Sequence, residues 1–259
     1  MEPKQSHYIM EFKGFQKTSL IEYPGKIVSV VFTAGCNFKC PFCQNPELVL
    51  NPDSLPSVSS KEVVSHLISK KKWLDGLSIT GGEPMICKDL PNFVREVKRE
   101  GFLVEIETNG TNPQILKDLI AGKLIDYVAL DIKAPLVWEK YKRAAGINDE
   151  DLFRKVKESV EVLLELKSDI DYEFRSTVVP GLIEEEDILA IARQIKGAKR
   201  YVLQQFLPSI TLDKQYEHLK PYSKEVLEKM RKRAESYVDI CQVRGWYSER
   251  TEKNNHGAG

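Results

Sequence analysis

The 259-residue chain has room for one or two domains at ~150 residues each, and 42% apolar with 29% charged residues excludes wholesale disorder. With 38 basic against 38 acidic side chains the net charge is zero, so no global field draws the protein toward nucleic acid. No stretch approaches the ~18 uninterrupted apolar residues of a membrane span, and the opening Met1-Glu2-Pro3-Lys4-Gln5 lacks a signal peptide's apolar core, which makes a cytoplasmic protein the plain expectation.

Lys26 to Thr33 reads as a buried strand, followed by an irregular Cys-, Asn- and Pro-rich loop from Ala34 to Glu47. Ser59-Ser60-Lys61-Glu62 caps a helix predicted to end near Trp73, ahead of a short strand from Leu77 to Thr80. The alternation continues with helix Asp89 to Glu100, strand Phe102 to Thr108, helix Asn112 to Ala121 and strand Leu124 to Ile132. Helical stretches Leu136 to Ala145 and Glu150 to Lys167 then lead to strand Asp171 to Val179 and helix Glu184 to Lys196. Strand Tyr201 to Phe206 and one long helix, Tyr222 to Arg244, complete the pattern. Six strands alternating with helices predict parallel pairing in an α/β fold, a partial, open (βα)6 barrel of the TIM type, with a flat doubly wound sheet as the alternative. A single domain over residues 1–250 is expected, with a disordered polar tail at 251–259.

Parallel α/β folds gather their chemistry at the carboxyl ends of the strands. Here those ends read Cys36-x3-Cys40-x2-Cys43, Gly81-Gly82-Glu83-Pro84, Glu107-Thr108-Asn109-Gly110, Asp131-Ile132-Lys133, Arg175 to Gly181, and Gln204-Gln205. The three clustered cysteines suit metal binding better than a secreted disulfide framework. They could serve three irons of a [4Fe-4S] cubane and leave the fourth without a protein ligand, or form part of a zinc site, for which a fourth ligand is not evident nearby. Gly81-Gly82-Glu83-Pro84 could receive an ammonium group or could simply be a tight turn, and Asn109-Gly110 is a common turn pair. Asp131 and Lys133 share a strand face and could reach a site or form a solvated ion pair. Arg175 could pair a carboxylate in a site or be a structural charge. The isolated Cys87 and Cys241 are expected to be buried thiols.

Taken together, these residues resemble the radical S-adenosylmethionine superfamily, whose hallmark is C-x3-C-x2-C after the first strand of a partial (βα)6 barrel. The likeness covers about Lys13 to Arg244. Within the superfamily the chain looks like the glycyl-radical-enzyme activating proteins, through Gly14 to Gly25 (GFQKTSLIEYPG), Asn45-Pro46-Glu47-Leu48, Asp131-Ile132-Lys133 and Val178-Val179-Pro180-Gly181. Its opening segment most resembles activators of anaerobic ribonucleoside-triphosphate reductase, with the pyruvate formate-lyase activases close behind.

The resemblance implies that Cys36, Cys40 and Cys43 ligate a [4Fe-4S] cluster and that S-adenosylmethionine chelates the open iron. It implies a cofactor-binding set of Phe42 against adenine, Gly82 and Glu83 at the methionine amine, Asp131, Ile132 and Lys133 at polar groups and Val179 near the adenosine, with Gly81, Thr108 and Asn109 also in the set. Asp131 and Lys133 join the cysteines in the catalytic set. An electron from a reducing donor would cleave the cofactor, and the 5′-deoxyadenosyl radical would take hydrogen from a glycine of the partner enzyme. Neither nucleic acid nor membrane is implied as a partner. The chain departs from the family at Gln44, where members often have His, and at Gln205-Phe206-Leu207-Pro208, which lacks a histidine of the formate-lyase branch. Glu22 and Glu107 stand where that branch carries Asp and could join Asp131 around a cation. With no second cysteine-rich insert, auxiliary clusters are not expected. A small-molecule radical enzyme such as 7-carboxy-7-deazaguanine synthase, and a non-catalytic electron-transfer or zinc-stabilised module, are the competing functions.

Overall fold

The computed structural model describes residues 10–166 and 170–245. In chain order these form β1 (Glu11–Phe12), β2 (Gly14–Ser19), β3 (Val28–Thr33), α1 (Pro46–Leu50), β4 (Val58–Ser59), α2 (Ser60–Ser69), β5 (Gly76–Gly81), α3 (Leu90–Arg99), β6 (Leu103–Thr108), α4 (Pro113–Ala121) and β7 (Tyr127–Asp131). There follow α5 (Trp138–Ala145), α6 (Glu150–Leu164), β8 (Asp171–Val178), α7 (Glu185–Gln194), β9 (Arg200–Gln205), α8 (Lys224–Ala234) and β10 (Ile240–Arg244). The tail 251–259, the opening pentapeptide and Lys167 lie outside the described residues.

The described residues divide into two compact units. The first takes in the chain up to Lys39, Asn45–Leu130 and Asp149–Tyr172. In it β3 pairs in parallel with β5, β5 with β6 and β6 with β7, while β2 runs antiparallel along β3. The strands are parallel because each is followed by a helix that crosses back, as β5–α3–β6–α4–β7 illustrates. In α3, Leu90, Phe93, Val94 and Val97 recur at the spacing of one helix face and are all buried. Each such side chain removed from water contributes about 1.5–3 kcal/mol. Side-chain caps mark where helices begin: Ser59 accepts from the Glu62 N–H ahead of α2, and Asn112 from the Ile115 N–H ahead of α4. Tyr23, Val28, Val30, Tyr127 and Ala129 form one apolar cluster, with the rings of Tyr23 and Tyr127 5.1 Å apart.

The second unit takes in Cys40–Gln44, Asp131–Asn148 and the chain from Glu173 onward. Here β8, β9 and β10 pair in parallel. The six strands expected from the sequence are all present and the pairings between β3, β5, β6 and β7 and between β8 and β9 are parallel as expected. Four strands were not foreseen: β2, β10 and the two-residue β1 and β4, which pair antiparallel. β2 escapes because only its last residue, Ser19, is buried, so the run shows no buried alternation. β10 corrects the single helix expected over Tyr222 to Arg244: the buried helical series Leu227, Met230, Ala234 ends at a 3-10 turn, Glu235–Tyr237, and the β-branched Val238, Ile240 and Val243 favour extended chain beyond it.

β10 is anchored by charge as well as by its ladder. The Arg244 guanidinium donates two bonds of 2.6 Å to the carboxylate of Glu173 on β8, and Glu173 is fully buried. Removing Arg244 takes two charge-assisted hydrogen bonds from a buried carboxylate. Arg244→Met is therefore expected to lower unfolding stability by about 3 kcal/mol, read as a fall in the urea midpoint, whereas an unchanged midpoint would show the pair to be dispensable.

Candidate functional site

In the first unit the site begins where β3 and β5 end side by side. Gly82 donates its N–H to Thr33 O at 3.0 Å and Glu83 donates to Gly35 O at 2.8 Å. The approach is too close for any side chain: a Cβ on Gly82 would lie 1.6 Å from Gly35 O, and one on Gly81 would lie 2.4 Å from Thr33 N. Gly81 also has a φ of +117°, a region open mainly to glycine. Both glycines are thus required where the strand end presses against the backbone that leads into Cys36.

Glu83 is almost fully buried, and its carboxylate draws three donors together: the Met85 N–H at 3.0 Å, the Thr108 hydroxyl at 2.7 Å and the Asn109 N–H at 2.7 Å. It ties the end of β5 to the end of β6. Asn109 passes the constraint on, donating from its side-chain nitrogen to Asn37 Oδ1 at 2.8 Å and to Cys36 Sγ at 3.8 Å. Cys36 Sγ also accepts the Phe38 N–H at 3.4 Å. Asn37 and Thr111, neither of which was singled out from the sequence, complete the group, since Asn37 donates to Thr111 Oγ1 at 2.7 Å. Their only sequence signal was adjacency, one to the cysteine loop and the other to Asn109-Gly110. Glu107 accepts from the Thr80 hydroxyl at 2.7 Å. Among the described residues no group of three or more His, Cys, Asp or Glu side chains is placed to hold a metal ion.

In the second unit Cys40 to Gln44 forms a pinned turn. Cys43 N–H donates to Cys40 O, Leu212 N–H to Cys43 O and Asp213 N–H to Pro41 O, at 3.0, 3.0 and 2.8 Å. Gln44, the departure from the family's histidine, donates to Leu207 O and Ser209 Oγ and so ties this turn to the loop after β9. Gln205 donates to Tyr222 O. Cys40 is buried with its Sγ 3.7 Å from Ala145 O, and Phe42 is buried.

Asp131 lies between two cations, accepting from Lys133 Nζ and Arg175 Nε, each at 2.9 Å. Burial would raise its pKa, but Arg175 and then Lys133 outweigh that and hold it down at about 2. Burial would likewise lower Lys133, yet Asp131 and, next, Cys40 hold its pKa above the usual lysine range. Ile132 and Val179 are fully buried, and Ile132 is bound on both backbone groups, its N–H to Arg175 O and its carbonyl to the Ser176 hydroxyl. Cys241 is a buried thiol as expected, with its pKa pushed up to about 12 by burial. Cys87 is not: it closes the 3-10 turn Pro84–Ile86 and is partly exposed.

The family model for the Radical SAM superfamily matches residues 30–203. A Methanocaldococcus jannaschii protein named as a candidate glycyl-radical enzyme activating enzyme is 34% identical over 234 residues, covering 89% of this chain and 94% of its own. The pyruvate formate-lyase-activating enzyme of Clostridium pasteurianum is 28% identical over 239 residues, 87% of this chain and 95% of its own. Among solved structures, Streptococcus suis SuiB shares the fold, with a TM-score of 0.62 at 17% identity over 84% of this chain and 49% of its own. No described helix is long and apolar enough to cross a membrane.

Two outcomes follow from this geometry. Gly82→Ala must displace the backbone at Gly35, and iron bound per chain after anaerobic reconstitution should fall well below wild type; normal uptake would mean the strand end yields without cost. The Asp131 pKa, depressed below its ordinary 3.8, makes a stability contribution that is complete above about pH 4 and lost as pH falls toward about 2. Across that window the wild type should lose stability more steeply than Asp131→Asn, and parallel acid-unfolding profiles would contradict the assignment.

Proposed function

The chain belongs to the Radical SAM superfamily, and on that premise we propose that it is an activating enzyme that installs a glycyl radical on anaerobic ribonucleoside-triphosphate reductase. The enzyme class and the cofactors, a [4Fe-4S] cluster and S-adenosylmethionine, follow from membership. The observation that carries the activating role is the 34% identity to the Methanocaldococcus jannaschii relative along nearly the full length of both chains. The choice of reductase rests on the segment Gly14 to Gly25 and its resemblance to activators of that enzyme. Full-length similarity to the Clostridium pasteurianum protein supports a formate-lyase type of partner as the second reading.

The residues present suit the cofactors. Cys36, Cys40 and Cys43 supply three thiols that would hold three irons of a cubane, and the fourth iron would have no cysteine from this loop. When bound, the cluster and S-adenosylmethionine supply a one-electron cleavage that ends in hydrogen abstraction; the protein supplies placement and exclusion of water. Phe38 N–H and Asn109 steady the Cys36 sulfur, and the hydrogen-bonded turn from Cys40 to Cys43 sets the other two. Gly81 and Gly82 bring Glu83 beside the loop, where its carboxylate would share the methionine ammonium with its three protein donors. Asp131, fixed by Lys133 and Arg175, is assigned to the cofactor's polar groups, and Phe42 and Val179 to its apolar surface. The family match spans segments of both compact units, which supports one catalytic domain over residues 1–250.

The test is anaerobic: the reconstituted, reduced protein is given S-adenosylmethionine, and 5′-deoxyadenosine is measured with and without an anaerobic ribonucleotide reductase. Wild type should form 5′-deoxyadenosine and a glycyl radical signal in the reductase, and Cys40→Ala should fall to background. Cleavage with a radical signal only on a formate-lyase partner would transfer the function to the second reading. Absence of cleavage in wild type would remove the activating role.

A further inference from the structure

We infer that Asn109 is a positioning residue for the cluster, acting through the Cys36 sulfur rather than by contact with S-adenosylmethionine. Asn109 is buried, and every polar atom of its amide has a partner. Its Oδ1 accepts from the Thr111 N–H at 3.1 Å and the Thr111 hydroxyl at 2.7 Å. Its nitrogen donates to Asn37 Oδ1 at 2.8 Å and to Cys36 Sγ at 3.8 Å.

The orientation of the amide is set by these partners. Thr111 N–H can only donate, so the atom facing it must be oxygen, and the nitrogen is thereby turned to the sulfur. The Thr111 hydroxyl, having given its proton to Asn109, accepts from Asn37. The backbone is held with equal firmness. Asn109 N–H is bound by the buried Glu83 carboxylate, and Gly110, at φ +77°, donates to the Thr108 hydroxyl while its carbonyl accepts from Ser159. With donors and acceptors all engaged inside the protein, the side chain has no capacity left for a nucleoside or an amino acid.

What it can do is electrostatic. Reducing the cluster adds negative charge that spreads onto the ligand sulfurs, and hydrogen bonds to those sulfurs are among the factors that set the potential. The Asn109 N–H dipole, held toward Cys36 Sγ by Glu83 and Thr111, favours the reduced state. Glu83 therefore acts on the cluster at one remove, through the Asn109 backbone.

This inference rests on the cluster reading above, and the experiment separates the two. Wild type, Asn109→Ala and Asn109→Asp are reconstituted, their iron content is measured, and the reduced fraction is followed by electron paramagnetic resonance at fixed ambient potentials. Asn109→Ala should load iron yet show a reduced-to-oxidised ratio about tenfold lower than wild type at the same potential, equivalent to about 59 mV for one electron. Asn109→Asp, which keeps the size and the acceptor toward Thr111 but turns an oxygen to the sulfur, should lower the ratio at least as far and guards against a folding failure of the alanine variant. A loaded variant of either kind with the wild-type ratio overturns the inference alone. A wild-type protein that takes up no iron overturns the cluster reading and the inference with it.

Discussion

The close approach of one backbone to another governs the surroundings of Cys36 in the first unit. The end of β5 meets the chain leaving β3 at a separation that leaves no room for a Cβ at Gly81 or Gly82. Two backbone hydrogen bonds, from Gly82 to Thr33 and from Glu83 to Gly35, hold that seam immediately ahead of Cys36. Everything described around the Cys36 sulfur hangs from it. Glu83 enters the interior because the glycines before it let it, and once there it draws in Thr108, Asn109 and Met85. Asn109 then reaches the sulfur. A motif that looks like a ligand grip is also the framework that sets the cysteine loop.

The second unit uses charge where the first uses close contact. Asp131 stands between Lys133 and Arg175, and Glu173 is clasped by Arg244. Burial of such groups is unfavourable unless each has its counter-charge, so their geometry is tightly specified. The effect is a set of side chains whose charge states hold across the physiological range: Asp131 ionised, Lys133 protonated. Cys40 and Cys43 sit on a turn whose carbonyls are taken by the loop after β9, with Gln44 adding a further tie.

Much of this was legible in the residues themselves. The six strands expected from hydrophobic runs are the strands present, and the residues at their ends are the ones that build the network, because polar and glycine residues after an apolar run mark the side of an α/β fold that is free for chemistry. Membership in the Radical SAM superfamily was carried by the cysteine spacing and the Gly81-Gly82-Glu83-Pro84 turn. What escaped were properties that depend on partners distant in sequence. β10 follows a helical pattern that no proline or glycine interrupts, and its β-branched residues become a strand where β9 offers an edge to pair with. Asn37 and Thr111 are ordinary polar residues until the fold brings them together across 74 positions of the chain. Glu83 read as a ligand for an amine, yet three donors of the protein itself reach its carboxylate, a fact no spacing reveals.

On the proposed function, the three-thiol loop would leave one iron of a [4Fe-4S] cluster open to S-adenosylmethionine. The most direct measurement is electron–nuclear double resonance on the reduced, reconstituted protein with S-adenosylmethionine labelled with 15N in the methionine amine. Adding the cofactor should alter the cluster's g values and produce a strong 15N coupling, as expected of nitrogen bound to iron. A cluster signal indifferent to the cofactor, with no coupling to the label, would contradict it.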